Sequence, residues 1–388
     1  MLKNSILQKT IIFSILSLIV LNTFLFSQEK KINLTIKDTP TDWKEYWWLR
    51  NNNYGISNLQ SQLKWQFDQN NTNYKLSIAA DDNGKIYIGD SSIKHNFSEK
   101  TFIRIGRYYR DYSTYLNDDL SSGHMLISHN AEPIPKIGFK TSIKSKRFDK
   151  TTFDLGMSHG LLNKENFYTE SPFLHEKFIY ANIKKDDHTF GLGLVHAAIW
   201  GGANPEKNFS NSFETFLKVM ISADGFDEGI ISHQNAEGNH VAIWDFYYQK
   251  IKDEKSLKLY YQHIFEDTSG LRFHNKFDGL WGFELTNYLP ETNLLIEYVT
   301  TSNQFLKPPY INELYYYNYH YRAGWSYNSH VLGNPHIQLA NPEDYPNWPK
   351  DPFDVLHVGM DGKFLSSTYK VQISRRINAH DDIQSIVN

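Results

Sequence analysis

The chain contains no cysteine. That absence excludes disulfides, zinc–thiolate and iron–sulfur sites, a thiol nucleophile and a lipid-modified N-terminal cysteine. Neither sign of charge dominates: 40 Lys and Arg stand against 43 Asp and Glu, a net charge of −3 over 388 residues. A dedicated nucleic-acid binder would need a basic face, so that class is excluded as well. Beyond one N-terminal stretch there is no apolar run of the ~20 residues that a helical span requires. The mean hydropathy of −0.53 agrees. Sustained helical periodicity is also missing. What is abundant is aromatic side chain: 25 Phe, 25 Tyr and 9 Trp make up 15 % of the chain. A polar average with a heavy aromatic share fits one membrane class, the β-barrel, in which only alternate residues face lipid.

The N-terminus reads as an export signal. Met1 to Lys9 carries two lysines and no acid, and Ile11 to Phe26 is almost continuously apolar. Ser27 and Gln28 then precede the charged run Glu29, Lys30, Lys31. This succession predicts a secretory signal over 1–27 and a single barrel domain over 28–388.

Downstream, the recurring pattern has a period of two. Ile137, Phe139, Thr141 and Ile143 oppose Lys136, Gly138, Lys140 and Ser142. Phe190, Leu192 and Leu194 oppose Thr189, Gly191 and Gly193. Trp281, Phe283 and Leu285 oppose Gly282, Glu284 and Thr286, and Tyr369, Val371 and Ile373 oppose Lys370, Gln372 and Ser374. Such alternation defines β-strands with one apolar and one polar face. The apolar faces are nearly free of charge and keep Tyr or Trp near the strand ends, as in a lipid band edged by aromatic girdles. Backbone groups in lipid must all be paired, so the strands must close on one another. The expected fold is all-β: a transmembrane antiparallel β-barrel of the bacterial outer membrane with about 16–18 strands. Segment 366–378 is expected to close the ring against the strand near 56–68.

Two kinds of connection separate the strands. Asp82-Asn83-Gly84 and Lys184-Lys185-Asp186-Asp187 read as tight hairpin turns. The segments 111–122, 160–173, 200–239, 303–317 and 333–352 are long and are expected outside the cell, at the end opposite those turns. By the same period, Arg104, Lys140, Asp154, Asp245, Glu284, Glu297 and Lys370 should face the lumen, with Asp245 and Glu284 each near a basic partner.

Catalytic signatures are weak. Glu266-Asp267 and the group Asp224, Asp227, Glu228 read as loop charge at turns. His233 and His240 match no metal-ligand spacing. No nucleophile elbow or phosphate-binding loop occurs. We therefore expect no enzymatic activity, no cofactor and no metal.

In order along the chain come Tyr46-Trp47-Trp48-Leu49-Arg50-Asn51-Asn52, Leu120-Ser121-Ser122-Gly123, Asn130-Ala131-Glu132-Pro133-Ile134-Pro135, Leu174-His175-Glu176-Lys177, Trp200-Gly201-Gly202, Trp244-Asp245-Phe246, Asp278-Gly279-Leu280-Trp281-Gly282 and Tyr319-His320-Tyr321. This succession, over roughly residues 43 to 378, resembles the Wzi-type capsule-assembly proteins of the bacterial outer membrane. The resemblance implies an eighteen-stranded barrel that acts as a surface lectin and helps to hold capsular polysaccharide on the cell. It implies as partners capsular or extracellular polysaccharide, outer-membrane lipids and the barrel-assembly machinery. The chain departs from the best-studied branch in lacking a segment for a periplasmic helical bundle. Its last residues, Asp381 to Asn388, also lack the terminal aromatic usual for such barrels.

Sugars offer apolar C–H faces on which Trp and Tyr stack. The loop aromatics Trp200, Tyr310, Tyr315, Tyr316 and Trp348 are the candidate contacts; the alternative is that they pack loops and girdle. A porin or specific channel for a small solute is the competing function, since a barrel of this width can hold an aqueous pore.

Overall fold

The computed structural model describes residues 30–36, 53–56, 59–165, 167–222, 236–306, 313–339, 341–344, 352–364 and 367–377. The signal segment 1–27 lies outside them.

The strands are β1 (Lys30–Ile36), β2 (Leu59–Gln69), β3 (Thr72–Asp81), β4 (Ile86–Ile88), β5 (Ser91–Ser98), β6 (Thr101–Arg107), β7 (Pro135–Lys144), β8 (Thr151–Leu161), β9 (Phe173–Lys185), β10 (His188–Trp200), β11 (Asn239–Lys252), β12 (Lys255–Phe265), β13 (Gly279–Leu289), β14 (Thr292–Thr300), β15 (Ser326–Tyr327), β16 (His330–Val331), β17 (Asp354–Phe364) and β18 (Ser367–Arg376). All but β15 and β16 form one 16-stranded antiparallel sheet in which neighbours in sequence are neighbours in space. β4 and β5 both pair with β3, so they act as one strand interrupted at Gly89–Asp90. Two helices follow the long strands: α1 (Phe213–Ile221) and the single turn α2 (Thr268–Leu271). No helix of the described residues is long and apolar enough to cross a membrane, which leaves strand crossing untouched.

The register obeys the period of two. Gly193 sits opposite Tyr180 and Asp245, while Leu192 sits opposite Ala181 and Phe246. The second set faces outward: Ile137, Phe139, Met157, Ile179, Leu192, Leu259 and Leu356 are exposed around the sheet. The first set faces inward and is buried, and several inward glycines lie beneath a neighbouring tyrosine. A Cβ on Gly193 would fall 2.3 Å from the Tyr180 ring and one on Gly282 1.9 Å from the Tyr260 ring. Glycine here is a requirement of ring packing across the pair.

One end of the sheet carries the tight turns, including Asp253–Glu254, both in the left-handed region at φ 49° and 64° as a two-residue type I′ turn demands. The other end carries 108–134, 162–172, 201–238, 266–278 and 301–353. Asp82-Asn83-Gly84 joins β3 to β4 at this second end, so its expected place among the opposite turns is corrected. Its tightness comes from Asp81, whose carboxylate accepts Asn83 N–H and Lys85 N–H at 2.9 Å each. The expected closure is corrected too. β2 already has β1 on one edge and β3 on the other, leaving no edge for 366–378. Ser367–Arg376 pairs with β17, and among the described residues no pairing joins it to β1.

Candidate functional site

The interior of the curled sheet is occupied. Residues 108–134, between β6 and β7, run inward across the lumen. Arg104 on β6 meets Asp111 at 2.7 Å, and Lys140 on β7 donates to Asp111 O at 3.0 Å. Tyr112 donates to Glu176 on β9 at 2.9 Å. Asp245 on β11 accepts Ser113 Oγ–H at 2.6 Å and the hydroxyls of Tyr115 and Tyr180. Asn117 donates to Glu284 on β13 at 2.9 Å. Glu297 on β14 accepts Ser121 Oγ–H at 2.7 Å, Ser122 N–H at 2.6 Å and the Tyr260 hydroxyl. Leu120 O accepts from His357 on β17 at 2.7 Å and Gln372 on β18 at 3.1 Å. One segment bonded to strands from β6 to β18 requires the sheet to wrap around it.

The expectation that 111–122 is an outside loop is therefore corrected: it is a plug. The reason is chemical. A buried carboxylate needs compensating donors, and the hydroxyls, amides and peptide N–H groups of this segment supply them. His124 completes the arrangement. Its Nδ1 accepts Leu126 N–H at 2.9 Å and Ile127 N–H at 3.2 Å, which leaves its proton on Nε2, 2.9 Å from Ser113 Oγ.

Among the lumenal candidates, Glu284 has the expected basic partner, Lys258 at 2.5 Å. Asp245 does not; hydroxyls surround it, which corrects that expectation. Asp154 accepts Asn182 Nδ2–H at 2.9 Å. Lys370 lies on the inward face beside Gln372 and opposite Asp361. A cavity of about 550 Å³ remains between the plug and the wall of β2, β3 and β6, lined by Lys64, Lys75 and Arg104 against Asp90, Asp118 and Asp119.

A second layer covers the plug. Trp325 Nε1–H donates to Leu126 O at 2.8 Å, and Asn334 Nδ2–H to Gly123 O at 2.7 Å. Ser128 N–H donates to Leu332 O at 2.7 Å. The hydroxyl of Tyr316 donates to Met125 O and accepts Asn334 N–H at 3.0 Å. Tyr315 donates to Asp278 at 2.8 Å, and burial pushes that carboxyl up to about 6. Glu266 accepts Tyr316 N–H at 2.5 Å, and burial raises its carboxyl well above the usual range. Glu266 thus ties a loop down, and Asp267 accepts Gly270 N–H at 3.1 Å.

The candidate sugar-stacking aromatics divide. Tyr315 and Tyr316 are buried in this second layer, and Trp200 is buried on the outer wall beneath α1. None offers a free ring face. Tyr310 and Trp348 lie outside the described residues, as do His233, Asp224, Asp227 and Glu228. His240 bonds His196 at 2.7 Å on the outer wall, and no metal-binding group of side chains occurs among the described residues.

At the loop end, against residues 201–209, a different strip is half-exposed: Tyr317, Asn318, Tyr319, His320 and Arg322. The Tyr319 and His320 rings lie 4.1 Å apart in a tilted contact, and Arg322 holds Glu206 through two bonds of 2.8 and 2.6 Å. The strip is anchored from beneath by buried Tyr321, stacked on Phe209 at 4.6 Å. In the sequence, nothing about Tyr319-His320-Tyr321 marks its place at the loop end. The alternation of buried Tyr321 with half-exposed neighbours appears only once Phe209 is beside it.

An antiparallel sheet with an apolar outer band, a filled polar lumen and long connections at one end is an outer-membrane β-barrel of bacteria, with loops at the cell surface. Residues 119–338, more than half of the chain, match the family described as capsule assembly protein Wzi, and the chain belongs to that family. The fold is similar to that of Wzi from Escherichia coli, described as an outer-membrane protein involved in group 1 capsule assembly and a carbohydrate-binding β-barrel. The two share 14 % identity at a TM-score of 0.51, over 92 % of this chain and 81 % of that one. Similarity also extends to OmpT of Vibrio cholerae with loop L8 deleted (10 % identity, TM-score 0.36, 81 % and 84 % covered). OprD of Pseudomonas aeruginosa follows at 8 % identity and TM-score 0.34, with 84 % and 85 % covered. A comparison with curated proteins finds no match.

Proposed function

We propose that this protein is a surface lectin that binds capsular or extracellular polysaccharide at its outer rim and retains it on the cell. The observation that carries the reading is the filled lumen: a segment bonded to the wall from β6 to β18 leaves the rim as the face open to a long polymer. The strip from Tyr317 to Arg322 supplies what a glycan needs, ring faces beside an amide, an imidazole and a guanidinium. Membership in a capsule-assembly family supports the reading.

The test is retention of the cell's own polysaccharide by a strain carrying Tyr317→Ala, Tyr319→Ala and Arg322→Ala together. Loss of retention with heat-modifiable gel mobility preserved is expected. Full retention by the folded variant would remove the strip from the binding surface. Planar-bilayer recording addresses the channel reading: the plugged barrel should show no steady openings, and large steady openings would favour a porin.

A further inference from the structure

The connection from β10 to β11 does something that the plug does not: part of it folds outward. Outward-facing residues of the wall are fixed by register. Met157, Ile179 and Leu192 face out, and two to eight residues further toward the loop end the same face carries His159, Lys177, His175, His196, Ala198 and Trp200. Helix α1 packs on these side chains. Val219 joins Ala198 and Trp200 in one buried cluster, and Phe216 lies 5.4 Å from His175, 5.6 Å from His159 and 5.7 Å from Trp200. The helix therefore sits on the outside of the barrel.

Its N-terminus is capped and its C-terminus is fastened to the wall. Ser212 caps it by accepting Thr215 N–H at 3.1 Å. At its C-terminus Lys177 of the wall donates to Met220 O, and Ser222 Oγ bonds His196 Nε2 at 3.1 Å. With one side against the wall, α1 turns a second apolar row away from it: Phe213, Leu217 and Ile221, spaced by four and exposed by 73, 43 and 74 %. Charge is confined to one edge, where Glu214 and Lys218 pair at 3.2 Å. Such a row facing water would be an unpaid cost. Here it continues the exposed apolar band of the wall below it, whose occupant is lipid. The neighbouring connection leans on the same wall in the same way: Trp244 Nε1–H donates to Leu271 O at 3.2 Å and Trp281 Nε1–H to Phe277 O at 3.1 Å, with Phe277 exposed.

We propose that α1 is an interfacial helix seated in the outer leaflet of the membrane, its Phe213–Leu217–Ile221 row in contact with lipid at the depth where head groups give way to acyl chains. The histidines and Lys177 lie at that depth on the wall, above the apolar band. The occupant is the bilayer itself, and the loop end of the barrel is thereby pinned at a fixed height relative to the surface.

The absence of native cysteine makes the test direct. Leu217→Cys in the full chain is labelled with an environment-sensitive fluorophore and reconstituted into phosphatidylcholine vesicles carrying a doxyl quencher at carbon 5 or carbon 12. Leu192→Cys, in the apolar band, serves as the reference. At 217 the expected result is at least twofold stronger quenching by the shallow than by the deep doxyl lipid, with little quenching by aqueous iodide. Iodide quenching at 217 without doxyl quenching, while 192 is quenched by lipid, overturns the proposal alone. Absence of doxyl quenching at both positions overturns the membrane placement of the barrel together with it.

Discussion

The plug is held by carboxylates of two kinds, and the difference makes its attachment measurable. Glu176 and Glu284 face Lys136 and Lys258, so neutralising either would strand a buried ammonium and damage the wall at a cost of about 3–5 kcal/mol. Asp245 and Glu297 face hydroxyls and one peptide N–H. Neutralising them leaves no orphaned cation, and most of the loss falls on the plug, which supplies two of the three donors at each carboxylate. In Asp245→Asn and Glu297→Gln the amide keeps one acceptor oxygen and turns an NH₂ toward donors. Each change should therefore cost one charge-assisted bond, roughly 1.5–3 kcal/mol. The two sites share no hydrogen-bond partner, so the double variant should lose about 3–6 kcal/mol. At 1.4 kcal/mol per tenfold, the released plug becomes roughly 10²–10⁴ times more populated. Two assays read this: protease cleavage within 111–122 of the reconstituted protein, and brief openings in a planar bilayer. Both should rise steeply in the double variant while heat-modifiable gel mobility persists. A folded double variant with unchanged cleavage and no openings would refute the assignment of these carboxylates as the plug's fasteners.

Three further outcomes follow from single sites. Tyr316→Phe removes the bond to Met125 O and orphans Asn334 N–H, so backbone exchange in 313–337 should quicken by an amount equivalent to about 1–3 kcal/mol. Gly282→Ala drives a Cβ into the Tyr260 ring and pulls its hydroxyl from Glu297, so the unfolding midpoint in gel-shift assays should fall by the equivalent of about 1–3 kcal/mol. Asp278 titrates near 6 in the folded protein against an ordinary value of 3.8, so the native state holds a proton that the unfolded chain releases. Its contribution to stability is full below about pH 4, falls as pH rises to about 6 and is constant above; Asp278→Asn should flatten the slope of Tm across that window.

How much of this was legible in the sequence depends on whether a residue's role follows from its neighbours in sequence or from contacts across the lumen. The outward positions Ile137, Phe139, Leu192 and Trp281 were readable because lipid imposes one rule on every second residue. Lumenal placement of Asp245, Glu284 and Glu297 follows from the same rule by exclusion. The plug escaped because its composition, with Asp, Asn, Ser and Gly near turns, is that of any surface loop; what marks it is the set of carboxylates waiting inside, and alternation says only that they point inward. Helix α1 escaped for a related reason. Its nine residues bury one row on the wall and present another outward, and the polar edge of Glu214 and Lys218 is too short to stand out as helical periodicity within a long connection.

The buried aromatics show why residue type alone does not identify a binding surface. Trp200, Tyr315 and Tyr316 occur in loop segments beside glycine or other tyrosines, the setting in which a sugar platform is expected. Each instead fills a position that the barrel must fill. Trp200 seats α1, Tyr315 reaches Asp278, and Tyr316 links the plug to its cover. A tyrosine with its hydroxyl committed to a buried carboxylate or carbonyl cannot also present that edge to a polymer. Tyr319 and His320 meet in a tilted ring contact, half-exposed, with His320 edge-on to Phe209 and Arg322 fixed beside them by Glu206. That geometry pre-orders the groups that a glycan would meet, and so lowers the ordering cost of binding. The plug beneath contributes by rigidity: the cover that carries the strip is bonded to the plug at Trp325, Asn334 and Ser128, and the plug to the wall at Asp245 and Glu297. If the rim binds glycan as proposed, a loosened plug should weaken that binding without touching a rim residue, which would couple the carboxylates of the lumen to the surface.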